Sequence, residues 1–320
     1  MPLAMTPDDT SKQAATPTTS AQRLCFSPRT KRFWVILGLL VLAIGLGVGL
    51  GVGLTRGSSD NGDDDTPSPP KSPTNNTGPA AGTYWKPAAG TTWQIVLQQA
   101  LGTTAPNVSV YDIDLFDNNA TIINTLHGMN RKVICYFSAG SYEDFRPDSD
   151  QFKKSDYGKE LKGWPGEFWL DIRSENVRSI MKARLKVAAS MGCDGVDPDN
   201  VDGFANDSGF PLNTTNTLDF LTFLAEEAHG LGMAIGLKNA GDLVGATVDF
   251  LQWEVNEQCV QYEECKSFRP FVDAGKPVFN IEYVDGKGVS TKQKVCGDNS
   301  RSGFSTLLKN MDLSDWVEAC

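Results

Sequence analysis

The sequence predicts an α/β chain whose main body, residues 84–320, is a (β/α)8 TIM barrel, irregular in places, behind a single transmembrane helix and a disordered stalk. Three observations predict the barrel. From Trp93 onward, strand-like runs alternate with amphipathic stretches. Several of those runs are too apolar to leave one face in water, as expected of parallel strands covered on both sides. The alternation fills about 235 residues, the size of eight such units. A doubly wound sheet is the alternative, but no glycine-rich phosphate turn follows the first strand.

The elements follow in chain order. Residues 1–33 carry Lys12, Arg23, Arg29, Lys31 and Arg32 against Asp8 and Asp9, a basic tail of net +3. Trp34 to Leu54 is 21 residues without a charge, enough at about 1.5 Å per residue to cross a bilayer core. The basic flank keeps the tail in the cytosol, so the segment reads as a signal anchor of a single-pass type II protein at the cell membrane. Residues 55–83 are rich in Ser, Pro, Gly, Asn and Asp, the composition of a stalk that cannot pack a core. Asn75, Asn107, Asn119, Asn206 and Asn213 each open an N-x-[ST] sequon, all of them after the span, which predicts glycosylation on the outer side.

Seven cysteines divide the same way. Cys25 precedes the span and six follow it, an even number suited to disulfides in an oxidising compartment. Cys259 with Cys265 is the expected local bridge, and Cys296 with Cys320 could tie down the terminus. Cys135 and Cys193 sit in or beside apolar strands, where buried thiols are ordinary.

Barrel strands are expected at WQIVL, VSVYDIDLF, KVICYFSAG, FWLDI, DGVDPDN, AIGLKNA, FLQWEV and PVFNIEY. Helices are expected at Ala120–Met129, Glu175–Met191, Thr217–Leu231 and Glu264–Ala274, with Ser174 and Asn216 as N-caps. The gaps after residue 97 and after Asn239 are short for full helices.

The chemistry is bounded by what is scarce. The net charge is −10, and the part beyond the stalk carries −11, which argues against nucleic acid and favours a cationic partner. Only two histidines occur, His127 and His229, each before a glycine at a predicted helix end, where a cation suits the last carbonyls. No histidine-based catalytic set follows from them. No CxxC spacing occurs, and DPDNVDG lacks the ligand pattern of a calcium loop, so neither metal nor cofactor is expected. Carboxylates instead gather where strands end: Asp112, Asp114 and Asp117, then Asp171, then Asp194, Asp197, Asp199 and Asp202, then Glu254 and Glu257, then Glu282. In a barrel those ends share the C-terminal face, where active sites are built.

The runs YDIDLFD, VICYFSAGSYE, WLDIR, GCDGVDPDNVDGF, GLKNA, VNEQC and VFNIEY resemble glycoside hydrolase family 114, the endo-α-1,4-polygalactosaminidases, in order from about Trp85 to Cys320. The resemblance implies a TIM barrel that cleaves within polymers of α-1,4-linked galactosamine or N-acetylgalactosamine. It implies catalytic carboxylates at Asp199 and Glu257, the first as nucleophile and the second as acid/base, with Asp197 and Glu254 in reserve. Substrate contacts are expected from Asp112, Asp114, Tyr136, Tyr142, Asp171, Asp202, Lys238, Asn239, Glu282 and Tyr283. Among the other aromatics, Trp85 and Trp164 fall in loops, whereas Trp169 and Trp253 lie in apolar strands and belong to the core. Two rival functions stand beside hydrolysis. One is a Schiff-base lyase on Lys238; the other is a carbohydrate-binding surface protein without catalysis.

Overall fold

The computed structural model describes residues 83–284 and 291–320. The predicted tail, the span at 34–54, Asn75 and the stalk up to residue 82 lie outside the described residues. Among the described residues no helix is long and apolar enough to cross a membrane.

Eight strands run parallel in one curled sheet: β1 (Trp93–Val96), β2 (Val110–Asp114), β3 (Lys132–Ser138), β7 (Gly195–Asp199), β8 (Ala234–Lys238), β9 (Trp253–Glu257), β10 (Val278–Tyr283) and β11 (Ser305–Lys309). A ninth, β12 (Glu318–Ala319), adds antiparallel to β11. The first and last parallel strands approach each other. Trp93 Nε1 donates to the Ser305 carbonyl at 2.9 Å, and Lys309 Nζ to Gln94 Oε1 at 3.1 Å. The fold is therefore TIM-barrel-like.

Alternation along the strands sorts side chains into two cores. Trp93, Ile95, Val110, Ile134, Trp253, Val255, Phe279 and Ile281 fill the inside of the curl. Trp253 takes its place because Gly195 and Gly236 leave room for it. A Cβ on Gly236 would lie 2.0 Å from Trp253 Nε1. The larger core lies between the outer wall and the helices α1 (Ala120–Gly128), α2 (Glu175–Met191) and α3 (Thr214–Gly230), through Ile113, Cys135, Leu185, Leu224 and their neighbours. Burying side chains of this size contributes about 1.5–3 kcal/mol each.

The remaining connections are short. After β8 comes only the one-turn α4 (Val244–Thr247), and α5 (Arg269–Asp273) and α6 (Lys292–Gly297) are little longer. Between β3 and β7 a second sheet forms from β4 (Ser141–Glu143), β5 (Tyr157–Glu160) and β6 (Glu167–Leu170), antiparallel in the order β4-β6-β5.

Four sequence expectations are corrected. FWLDI is not a barrel strand. Its apolar run belongs to β6 of the small sheet, where Trp169 and Leu170 are both buried and Leu170 joins the larger core. β3 pairs directly with β7, and the eighth parallel strand is β11, beyond β10; Ser305, Thr306 and Lys309 disguised it in the sequence. The N-cap of α3 is Asn213, with Asn216 three residues inside in a reciprocal capping box. The helix expected over Glu264–Ala274 is a 3-10 turn at Cys265–Phe268 followed by α5. Cys135 and Cys193 are not free thiols but a third disulfide, beside Cys259–Cys265 and Cys296–Cys320. The reason is adjacency: β3 and β7 are neighbours, which brings residues 58 apart within 6.0 Å at Cα.

Candidate functional site

The site is built at the ends of three neighbouring strands that leave the sheet in the same way. Asp199 ends β7, Lys238 ends β8 and Glu257 ends β9. The next residue in each case, Asn200, Asn239 or Gln258, has φ of 59°, 52° or 64°. That left-handed step turns the chain sharply away, so the last inward side chain is held at the mouth. Asparagine tolerates this conformation because its short side chain can bond locally. Both asparagines do so. Asn239 Nδ2 donates to Glu257 Oε2 at 2.9 Å while its Oδ1 accepts from Glu257 N at 3.0 Å, and Asn200 Nδ2 donates to the hydroxyls of Ser138 and Ser141 at 3.0 Å each.

Lys238 lies between the two acids. Its Nζ is 3.3 Å from Asp199 Oδ1 and 3.5 Å from Glu257 Oε2, and it is 2% exposed. Each acid has a tyrosine as well: Tyr136 donates to Asp199 Oδ2 at 2.7 Å, and Tyr283 donates to Glu257 Oε1. The two carboxylates remain the reachable part, with side chains 15% and 24% exposed.

Beneath them Asp112 and Asp197 are fully buried. None of their oxygens meets a donor among the described residues, so each can serve the other only if one keeps its proton. Burial, then Asp197, pushes Asp112 well above the usual carboxylate range. Burial also pushes Asp197 up, against the pull of Lys238, to about 7. Lys238 behaves oppositely. Burial would lower it, but Asp199, Glu257, Asp197 and Asp112 hold it well above the ordinary lysine value. In Glu257 burial is outweighed by Lys238, Tyr283 and Asn239, and the carboxyl stays below its ordinary value.

The structure brings together Asp112, Asp197, Asp199, Lys238, Asn239, Glu257, Tyr136 and Tyr283. Asp202 is close enough for Asp199 to help burial raise it. Asp114 joins at one side through Arg146, which also grips Glu143 with Nε–Oε2 at 2.7 Å. No motif pointed to Arg146.

Other candidates lie elsewhere. Asp171 follows β6 rather than a barrel strand, and Arg173 occupies its carboxylate at 2.8 and 2.9 Å. Tyr142 is on the face of β4 opposite Glu143, stacked on Tyr157 at 4.5 Å. Glu254 and Glu282 alternate with inward residues and so face the outer wall. Glu254 is fully buried without a partner among the described residues, and burial lifts it well above the carboxylate range. Glu282 accepts from Val260 N at 2.8 Å. The histidines are structural: His127 pairs with Asp194 at 2.7 Å, and His229 bonds Gln252 at 3.0 Å and stacks on Tyr84. Among the described residues no group of His, Cys, Asp and Glu is arranged to hold a metal ion.

The profile of glycoside-hydrolase family GH114 matches residues 74–320. Among solved structures, that of Aspergillus fumigatus Ega3 in complex with galactosamine is 51% identical, covers 74% of this chain and 97% of that one, and superposes with a TM-score of 0.72. The glycoside hydrolase domain of PelA from Pseudomonas aeruginosa is 11% identical over 71% of this chain and 98% of that one, with a TM-score of 0.53, a likeness of fold. No curated protein sequence matches significantly.

Proposed function

This chain belongs to glycoside-hydrolase family GH114, and from that premise we propose that it cleaves within α-1,4-linked galactosamine or N-acetylgalactosamine polymers. The observation that carries the reading is the pair of reachable carboxylates, Asp199 and Glu257, held on either side of one buried lysine. Galactosamine in the 51% identical Ega3 structure supports the sugar class.

Glycoside cleavage requires one carboxyl to protonate the leaving oxygen and a second to attack the anomeric carbon or activate water. A single ammonium at 3.3 and 3.5 Å bridges the two groups, an arrangement compatible with the separation of about 5–5.5 Å found in retaining enzymes. Asp199 serves as nucleophile. Tyr136 and the Asn200 amide hold its two oxygens, the latter at 2.7 Å. Glu257 serves as acid/base, protonating the departing oxygen and then taking a proton from the water that releases the sugar. Because it sits below the ordinary carboxylate range, its acid form gains with falling pH, and cleavage should be fastest in acid.

The lyase alternative needs a neutral lysine amine. The neighbouring acids, Asp199 and Glu257 foremost, keep Lys238 protonated, which opposes that chemistry. A binding protein without catalysis would lack one of the acids, and both are present. The test incubates the purified chain with acetylated and deacetylated polymers and follows new reducing ends and product lengths. Polymer binding without new reducing ends would leave the non-catalytic reading standing.

The site faces the side of the membrane to which residues 55–320 are sent by the basic flank of the 34–54 segment. Asn107, Asn119, Asn206 and Asn213 are exposed, which suits glycosylation there. Glycosidase treatment of the expressed protein should lower its apparent mass; no shift would count against this orientation.

A further inference from the structure

The small sheet carries exposed aromatic rings beside the active-site mouth. Phe145 is 64% exposed and Trp164 54%, far beyond what a folded core would leave on rings of this size. Register brings them together. Glu143 faces Glu167 across β4 and β6, and Asp144 N donates to the Gly166 carbonyl at 3.3 Å, so Phe145 lies across from the turn that holds Trp164. That turn is tight, with Trp164 N bonded to the Leu161 carbonyl and Glu167 N to the Trp164 carbonyl, each at 3.1 Å.

The small sheet that carries the patch is tied to the end of β7, where Asp199 sits. Leu170 N, on β6, donates to the Gly140 carbonyl at 2.8 Å, and Gly140 N donates to the Asp199 carbonyl at 3.0 Å. The Arg146 guanidinium lies 5.0 Å from the Phe145 ring centroid while binding Asp114 and Glu143. Glu167, on β6 next to the Trp164 turn, is half-buried; Glu143 and Asp199 act on it together with the Arg146 cation, which is already paired with Glu143 and Asp114. Burial, with Glu143 and Asp199, pushes it up to about 7. Among the described residues Glu167 makes no salt bridge of its own, and a cationic group bound over it would favour its ionised form.

We propose that Phe145 and Trp164, with Glu167 behind them, form a distal subsite of the cleft, where rings of a galactosamine polymer stack and an amino group is matched by the carboxylate. This rests on the hydrolase reading for the identity of the polymer, but it concerns binding. Aromatic faces pack against flat apolar surfaces, and the acidic surroundings favour a polycation over a neutral glycan or a second copy of this chain.

The experiment measures binding of a long deacetylated polymer and of a galactosamine trimer to the full chain carrying Asp199→Asn, alone and with Phe145→Ala, Trp164→Ala, Trp164→Phe or Glu167→Gln. Reducing-end release is followed in parallel with Asp199 intact. Trp164→Ala should weaken long-polymer binding at least about fivefold, and the trimer less, with Trp164→Phe recovering most of the loss. Glu167→Gln should reduce the advantage of the deacetylated over the acetylated polymer. Unchanged long-polymer binding in Trp164→Ala, or equal loss on trimer and polymer, overturns the subsite. So does a Trp164→Ala variant that loses self-association while polymer binding stays intact. If the parent chain binds polymer through Trp164 but releases no reducing ends, the subsite stands and the hydrolase reading falls. If cleavage is normal and Trp164 is immaterial, the reverse holds.

Discussion

The two faces of one stretch of wall, β9 with β10, are put to different uses. Inward, Glu257 and Tyr283 belong to a cluster in which one lysine answers several acids, and Asp112 and Asp197 meet no other donor among the described residues. Outward, one residue away, Asn256 and Glu282 bond to the loop that follows β9, although Asn256 Nδ2, Asn280 Oδ1, Glu282 Oε2 and both Glu254 oxygens meet no partner among the described residues. Asn256 Oδ1 accepts from Cys259 N at 3.1 Å, and Glu282 Oε1 from Val260 N and Asn280 Nδ2 at 2.8 and 3.3 Å. Buried carboxyls are perturbed on both faces, but only the inner face brings two carboxylates, Asp199 and Glu257, within reach of a substrate. The outer face fixes the 256–260 loop on which Glu257 sits. Chemistry and its support are separated by the pleat of a strand.

The sharpest break of that comparison removes the reachable acids. Asp199→Asn and Glu257→Gln are near-isosteric and should lower kcat by about 10³-fold or more while polymer binding persists. An activated aryl leaving group should restore glycosyl-enzyme formation in Glu257→Gln, but not in Asp199→Asn. Rescue of the latter alone would exchange the two roles.

Lys238→Met comes next. It leaves several buried carboxylates uncompensated, and breaking a buried pair costs about 3–5 kcal/mol. Since Lys238 is the largest influence holding Glu257 down, its loss should raise that carboxyl and move the alkaline limb of kcat/KM to higher pH. A limb that stays in place would show that Lys238 does not set the protonation of Glu257.

Asp197 tests the deeper part of the inner face. Its folded value of about 7 lies above the ordinary 3.8, so between those limits the folded protein binds more protons than the unfolded chain. Stability supplied by the protonated pair is then present at low pH and lost as pH rises through this window. The wild-type Tm should fall from about pH 4 to about pH 7, and Asp197→Asn should flatten the decline. Equal slopes in calorimetry would remove Asp197 as the source.

These opposed faces also explain what the sequence did and did not disclose. Asp199, Lys238 and Glu257 were legible because each closes an apolar run, and strand ends are where a barrel gathers its chemistry. Glu282 and Glu254 were not separable from them, because a face is assigned only when neighbours are known. Asp171 was misplaced with its strand: FWLDI has the composition of a barrel strand, but its hydrogen-bond partners are β4 and β5. β11 was hidden for the converse reason. Lys309 looks like a surface residue until Gln94, 215 positions earlier, and the Ser314 carbonyl are seen to receive its ammonium. Long-range pairing of this kind leaves no local periodicity.

The mildest test addresses the outer face at Glu282. Its carboxylate is buried and holds the Val260 amide, three residues beyond Glu257. Glu282→Leu would leave that amide unsatisfied, at a cost of about 1–3 kcal/mol, and would slacken the loop, while Asn280 keeps its bond to Asn256 Oδ1. Activity should fall modestly, through kcat, because Glu257 would be held less well. The pH limbs should not move, since no group on the inner face changes its charge. Glu282→Gln keeps an oxygen for the Val260 amide and should recover most of both the Tm and the rate. A shifted limb in Glu282→Leu would mean that the two faces communicate electrostatically through the wall, and the division of labour between them would have to be abandoned.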